Sequence, residues 1–257
     1  SDLQVLDCAI LVISGTDGVQ AHTRTLWRLL ERYHVPTFLF INKMDLAGAD
    51  RSAVLAGLKQ HLSSGCVDFS GERDESFREE AAVCDEAVLE RYLDTGNLTD
   101  GDLRQMAAER KLFPCWFGSA LKLEGVSEFL EGLEQYAPIP AYPEDFGARI
   151  YKIARDSQGA RLTYLKVTGG TLRVKSLLTN RRPGLGEDQV WEEKADQIRI
   201  YSGTKFRTVE EAPAGTVCAV TGLSRSRAGE GLGLETGWTA PALEPVLTYQ
   251  VLLPEGT

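Results

Sequence analysis

Asn42, Lys43 and Asp45 are the side chains of this sequence best placed to do chemistry. They stand in Asn42-Lys43-Met44-Asp45, directly after Thr37-Phe38-Leu39-Phe40-Ile41. That run of β-branched, aromatic and aliphatic residues suits a strand covered on both faces, as in a parallel sheet. In an open α/β sheet, ligands bind beyond the carboxyl ends of the strands. An amide, an ammonium and a carboxylate at such an end are therefore candidates to face a ligand. The carboxylate would act as hydrogen-bond acceptor, and the lysine stem could lie along a planar group. A polar turn that merely ends a strand is the plain alternative, and four residues alone do not exclude it.

A second stretch has the same grammar. Leu112-Phe113-Pro114-Cys115-Trp116-Phe117 reads as a strand and ends in Gly118-Ser119-Ala120-Leu121. Small residues there let the backbone itself approach a ligand. A lone Ser-Ala-Leu carries nothing. Its weight comes from following a strand, one strand after Asn42–Asp45, and from opening a helix at Glu124–Tyr136. Val126, Phe129, Leu130, Leu133 and Tyr136 are expected to face inward on that helix.

The elements that must position these loops follow from periodicity. Asp7–Ser14 is a near-continuous apolar run, read as a buried parallel strand, and Gly15-Thr16-Asp17-Gly18 as a turn. Ala21–His34 has a helical period, with Leu26, Leu30 and Tyr33 on one face. With Thr37–Ile41 this makes a βαβ unit with a right-handed crossover. A helix is expected over Arg51–Leu62, then a polar surface excursion over Ser63–Glu75, then helical stretches at Phe77–Leu93 and Thr99–Lys111. Residues 66–111 hold 13 acidic against 6 basic side chains, which reads first as a solvated face.

Pro138, Pro140 and Pro143 break regular structure, and the domain boundary is placed there, at 140. Beyond it the period changes to two. Arg149–Ala154, Arg161–Val167, Gln197–Tyr201, Lys205–Val209, Gly215–Leu223 and Val246–Leu252 read as short strands of a compact β-barrel. The fold class is thus α/β followed by all-β: a Rossmann-like parallel sheet over 1–140 and a barrel over 141–257.

Composition narrows the function classes. The chain has 257 residues and a net charge of −9. Residues 1–140 carry −10 and residues 141–257 carry +1. Binding of nucleic acid through bulk charge is therefore not expected of the first half, whereas a local basic patch fits the second. No apolar run approaches the roughly 20 residues a membrane helix needs, so no membrane partner is expected. The start lacks the basic region of a signal peptide, and five cysteines show no Cys-x-x-Cys pair. Reduced thiols in a cytoplasmic protein follow. Three scattered histidines make no metal constellation.

Asn42-Lys43-Met44-Asp45 resembles the guanine-specificity motif of the GTPases, and Ser119-Ala120-Leu121 the turn that accompanies it. The resemblance implies that Asp45 accepts two hydrogen bonds from guanine's ring N–H and exocyclic amine, a pair adenine does not offer. It implies that Lys43 lies along the purine face, that Asn42 holds the loop, and that the Ser119–Leu121 backbone meets guanine O6. The family is narrower still. Val5-Leu6-Asp7, Ala9–Ser14, Asp17-Gly18-Val19-Gln20 and Thr23 are similar to the segment after the second switch of translational GTPases. Gly169-Gly170-Thr171-Leu172 and Ala214–Leu223 are similar to the domain that follows in elongation factor G.

The short insert between the two guanine motifs looks like that of the tetracycline ribosomal-protection proteins. So do Leu89–Leu93, Leu112-Phe113-Pro114 and Lys194–Ile198. The resemblance implies GTP or GDP as ligand, Mg2+ in the whole protein, the ribosome as partner and no DNA. It also makes Arg181, Arg182, Arg225 and Arg227, in expected barrel loops, candidates for ribosomal RNA phosphate contacts. No Gly-x-x-x-x-Gly-Lys-Ser/Thr occurs, and the three Asp-x-x-Gly tetrapeptides are misplaced for a switch. The expectation is a piece whose phosphate-binding part lies upstream, with no catalytic residue of its own and little activity alone.

Overall fold

Two strands, β2 (Thr37–Asn42), buried up to Ile41, and β4 (Phe113–Phe117), buried throughout, lie side by side at the centre of the first half. The computed structural model describes residues 5–235 and 237. In it, β1 (Ala9–Ser14), β2, β3 (Cys66–Asp68) and β4 form a parallel sheet in the order β1-β2-β4-β3. Every residue from Thr37 to Ile41 and from Phe113 to Phe117 is buried, as strands covered on both faces require. The register pairs Ile41 with Phe117, so the two strands end together and their loops emerge as neighbours.

Helices cover the sheet: α1 (Ala21–Arg32), α2 (Arg51–His61), α3 (Glu75–Ala82), α4 (Glu86–Thr95), α5 (Asp100–Ala108) and α6 (Val126–Tyr136). Four sequence expectations need correction. β1 buries only Leu11 and Ile13, while Ile10 and Val12 are 47% and 59% exposed, so one face of this strand is open. Ser63–Glu75 is not all excursion, because Cys66–Asp68 pairs with β4 as the far edge of the sheet. α1 is turned by about one position: Thr23, Trp27 and Leu30 are buried and Leu26 is exposed. The cause is the Trp27 indole, which packs edge-on against Phe113 with ring centroids 4.6 Å apart. On α6, Leu130 is exposed, and Phe129, Gly132 and Tyr136 form the buried face.

The acidic stretch has a local logic. Asp74 accepts from the N–H of Phe77 and starts α3; Asp85 accepts from Val88 and starts α4. Thr99 and Asp102 form a capping box on α5. Several of these acids are thus helix starts. A new cap at Asp85 is why the expected helix Phe77–Leu93 is two helices.

After the proline-rich stretch the chain becomes antiparallel. β5 (Gly147–Arg155), β6 (Arg161–Gly169), β10 (Ile198–Ser202), β11 (Lys205–Val209), β13 (Val217–Val220) and β14 (Gly231–Gly233) form one sheet, ordered β11-β10-β13-β6-β5-β14. Two small pairs complete it: β7 (Thr171–Arg173) with β12 (Glu211–Pro213), and β8 (Leu177–Thr179) with β9 (Glu192–Lys194). All of them wrap one core around Ile150, Leu165, Leu178, Trp191, Ile198 and Val220. The three-residue strands carry too few residues to show a period and were not expected. The expected strand Val246–Leu252 lies outside the described residues.

One side chain ties the two halves. The Lys166 ammonium on β6, with its side chain 8% exposed, donates to the Val5 carbonyl (2.8 Å) and to Asp7 Oδ1 (2.5 Å), just before β1. Tyr142 Oη also lies 3.4 Å from Asp7 Oδ1. Lys166→Met keeps the buried stem and removes the charge. It leaves a half-exposed carboxylate and an unpaired carbonyl, so a loss of about 1–2 kcal/mol is expected in urea unfolding. An unchanged midpoint would mean that the tie contributes nothing.

Candidate nucleotide-base site

At the carboxyl end of β2 the backbone turns sharply, because Lys43 sits at φ 64°, in the left-handed region. For a side chain other than glycine that conformation costs about 1 kcal/mol, so other contacts must hold it. Asn42 supplies them. Its Oδ1 accepts from the Lys43 N–H (2.8 Å) and from the Ala120 N–H (2.8 Å), which comes from the loop after β4. The backbone closes the same seam: Met44 N–H donates to Gly118 O (3.1 Å), Gly118 N–H to Ile41 O (2.9 Å) and Gly15 N–H to Asn42 O (2.7 Å). Two loops nearly eighty residues apart in the chain are thus one unit.

The second loop is itself rigid. Ser119 and Glu124 exchange both backbone hydrogen bonds, at 2.9 and 3.0 Å. This bridge puts Ser119–Leu121 in a tight loop that precedes α6, as the sequence suggested, with the helix itself starting at Val126. Gly118 allows the closure. A Cβ there would collide with the Glu124 carbonyl and lie 3.1 Å from Phe40 Cζ. Gly118→Ala must move backbone, and overpacking of this kind costs about 1–3 kcal/mol. A crystal structure of that variant is expected to show the 119–124 loop displaced. An undisplaced loop at wild-type stability would refute the tight-closure argument.

Asp45 completes the arrangement at the edge between the loops, with its side chain 11% exposed. Its pKa is held below the ordinary carboxylate value. The Ser119 hydroxyl that donates to it is the leading cause; its own backbone N–H and the Lys122 ammonium, 3.5 Å away, add to that against partial desolvation. Asp45 is therefore an ionised acceptor at neutral pH. Of the six side chains expected at the site, Asn42, Asp45 and Ser119 are braced, while Lys43, Ala120 and Leu121 face solvent, Leu121 at 92%. The Ala120 N–H, expected to meet a ligand oxygen, is engaged by Asn42, so a base carbonyl would have to share that donor.

Sequence reasoning missed Lys122, whose signal was its place directly after Ser-Ala-Leu. It also missed a cavity of about 250 Å³ on the other side of Lys43, bordered by Ser14, Asp17, Gln20 and Thr23. Of the four arginines singled out in the barrel, Arg181 is paired with Glu187 at 2.7 Å. Arg182, Arg225 and Arg227 lie around one cleft, together with the unforeseen Arg161.

A parallel sheet with joined loops at its carboxyl edge, followed by an antiparallel β-rich unit, is the architecture expected of GTP-binding translation factors. The chain belongs to the translational GTPase family: residues 1–139 match the elongation factor Tu GTP-binding domain and residues 145–233 match elongation factor G domain 2. The oxytetracycline resistance protein of Streptomyces rimosus is 28% identical over 95% of this chain and 42% of its own length. Elongation factor G of Ureaplasma parvum is 26% identical over 98% of this chain and 45% of its own. A crystal structure of a Thermus thermophilus protein shares the fold at a TM-score of 0.70 and 21% identity, over 98% of this chain and 44% of that one. The chain spans less than half the length of the curated relatives it matches. No helix among the described residues is long and apolar enough to cross a membrane.

Proposed function

We propose that this chain supplies the base-reading side of a guanine-nucleotide site in a ribosome-associated GTPase of the ribosomal-protection type. The observation that carries the reading is the seam between the loops: Asn42 Oδ1 accepts from the Ala120 N–H (2.8 Å), while the Asp45 carboxylate lies 3.5 Å from the Lys122 ammonium of the second loop. An anionic acceptor at the rim fits the paired N–H groups of guanine, and the stem of Lys43 fits the purine face. GTP or GDP would be held through Asn42, Lys43, Asp45 and the Ser119–Leu121 loop. The residues that would hold the nucleotide's phosphates and a Mg2+ ion are not assigned in this sequence, since no phosphate loop occurs in it. No catalytic role is assigned to any residue here.

We place the GTP-binding part in residues 1–140 and the translation-factor barrel in 141–257, with the ribosome as partner and the cytoplasm as location. A second reading, an elongation factor G paralogue acting in translocation, is favoured by the near-equal identity to both kinds of relative. Ribosome pelleting of the full-length protein, with and without GTP and tetracycline, separates them. GTP-dependent binding coupled to loss of ribosome-bound tetracycline supports the first; GTP-dependent binding that leaves tetracycline in place supports the second. Absence of any GTP-dependent pelleting refutes both. Calorimetry of residues 1–257 alone should detect GTP binding only weaker than micromolar, and micromolar affinity would contradict the division of labour.

A further inference from the structure

We propose that Arg51, Asp68 and Ser70 form a positioning chain that holds the Ser119–Leu121 loop in register for base reading, and so set how well the site separates guanine from hypoxanthine. This role rests on the base-site reading and adds to it three residues outside both loops. Its anchor is the last N–H of β4. Successive backbone groups of a strand turn to opposite neighbours. The Gly118 N–H meets Ile41 O of β2 at 2.9 Å, and Cys115 O meets the Phe69 N–H at 2.7 Å on the other side. The Phe117 N–H therefore faces the β3 side, where β3 has already ended at Asp68. The Ser70 hydroxyl takes the place of a ladder carbonyl there and accepts from the Phe117 N–H at 2.9 Å.

That hydroxyl is itself fixed. It donates to Asp68 Oδ1 at 2.8 Å, and the Ser70 N–H donates to the same oxygen at 2.9 Å. A serine hydroxyl has one proton, and the Asp68 carboxylate takes it, so the lone pairs are left for the Phe117 N–H. The other oxygen of Asp68 accepts from Arg51 Nε at 2.6 Å and from Arg51 Nη2. The Arg51 guanidinium also lies over the Phe117 ring, 5.1 Å from its centroid. A cation thus rests on the face of the same residue whose N–H the chain holds.

The chain ties both loops at once. Arg51 opens α2, which follows the Asn42–Asp45 loop, and Phe117 directly precedes Gly118-Ser119. The loops meet at their tips, through Asn42 Oδ1 with the Ala120 N–H at 2.8 Å and Asp45 with Lys122 at 3.5 Å. The Arg51 chain joins them at their roots. The tips keep their spacing only while the roots keep theirs. Removing the Ser70 hydroxyl leaves the Phe117 N–H unmet and lets the end of β4 shift, which moves the second loop relative to Asp45. Hypoxanthine shares the ring N–H and O6 of guanine and lacks only its exocyclic amine. The ratio of the two affinities therefore reads the placement of the Asp45 carboxylate, not the stability of the fold.

The test uses the full-length protein and measures dissociation constants for GDP and inosine diphosphate by competition against a fluorescent GDP. Ser70→Ala is expected to lower the preference for GDP over inosine diphosphate about two- to tenfold, the effect of one neutral hydrogen bond. Ser70→Thr keeps the hydroxyl and should restore the preference. Arg51→Gln, at a half-exposed position, breaks only the outer link and should lower the preference less, in the same direction. It decides alone where Ser70→Ala fails to fold. Thr163→Ala removes a buried hydroxyl from the barrel, 2.7 Å from that of Ser226. It should lower the melting temperature and leave the preference intact. A parent that does not prefer GDP overturns the base-site reading, and this proposal with it. A parent that prefers GDP, with Ser70→Ala and Arg51→Gln keeping its full preference, overturns the positioning role alone. So does an equal loss of preference in Thr163→Ala, which would tie the effect to general stability.

Discussion

Asp45→Asn in the full-length protein is expected to exchange a preference for guanine for one for xanthine. The carboxylate is an acceptor at both oxygens, and the carboxamide replaces one acceptor with a donor. Against guanine that donor faces another N–H, so one hydrogen bond is lost and a second polar group is left mispaired. Hydrogen bonds to a charged group contribute about 1.5–3 kcal/mol each. GTP affinity should therefore fall on the order of a hundredfold, while XTP gains a partner for its added carbonyl. The fold should tolerate the change, since Asn at 45 can still accept from the Ser119 hydroxyl that now holds the carboxylate. Ser119→Ala should have a smaller effect of a different kind, weaker binding without exchanged preference. Competition between GTP and XTP for each variant decides this. An Asp45→Asn protein that still prefers GTP would remove Asp45 from the base-reading role.

What the sequence made legible was contiguous. β2 and β4 could be read because each is an unbroken apolar run that stops at polar or small residues, and the two loops could be read because each is a continuous tetrapeptide. The bracing between them could not, because Asn42 Oδ1 meets the Ala120 N–H only when two strands from distant parts of the chain end in register. β3 was missed for a related reason: three residues have no period, and Gly65, packed under the Lys111 carbonyl, looks like any turn glycine. The helix faces were read one position out where a bulky ring took the inward position, as Trp27 did from Leu26. The acidic segment looked like a solvated face, yet Asp74, Asp85 and Asp102 are tied to backbone N–H groups. Arg161 and Lys166 sit in an alternating strand, and nothing local distinguishes a basic residue facing water from one closing a cleft or tying two halves together.

The largest effect on stability is expected from Trp116→Ala. Trp116 lies on β4, is 2% exposed, and is met from several elements at once. Its ring centroid is 5.4 Å from those of Phe69 and Phe129 and 6.3 Å from that of Phe38. On α6 the ring lies so close to Gly132 that a Cβ there could not be accommodated. The glycine in this helix is a slot for the indole, accepted despite its poor helix propensity. Removing the indole leaves a cavity that neighbours on a strand, a helix and the segment after β3 cannot jointly collapse into, and such substitutions cost about 3–5 kcal/mol. That is a large share of the roughly 5–15 kcal/mol by which a domain is stable. The damage should be local, because the core around Trp116 and the barrel core around Ile198 are separate clusters. Hydrogen exchange should therefore speed at β2 and β4 amides, including the Gly118 N–H that closes the base-reading seam, and hardly change at Val220 in the barrel. Trp116→Phe, which keeps a ring over Gly132, should lose less than half as much. A loss under about 1 kcal/mol for Trp116→Ala, or equal acceleration in the barrel, would show that this ring does not hold the sheet that carries the site.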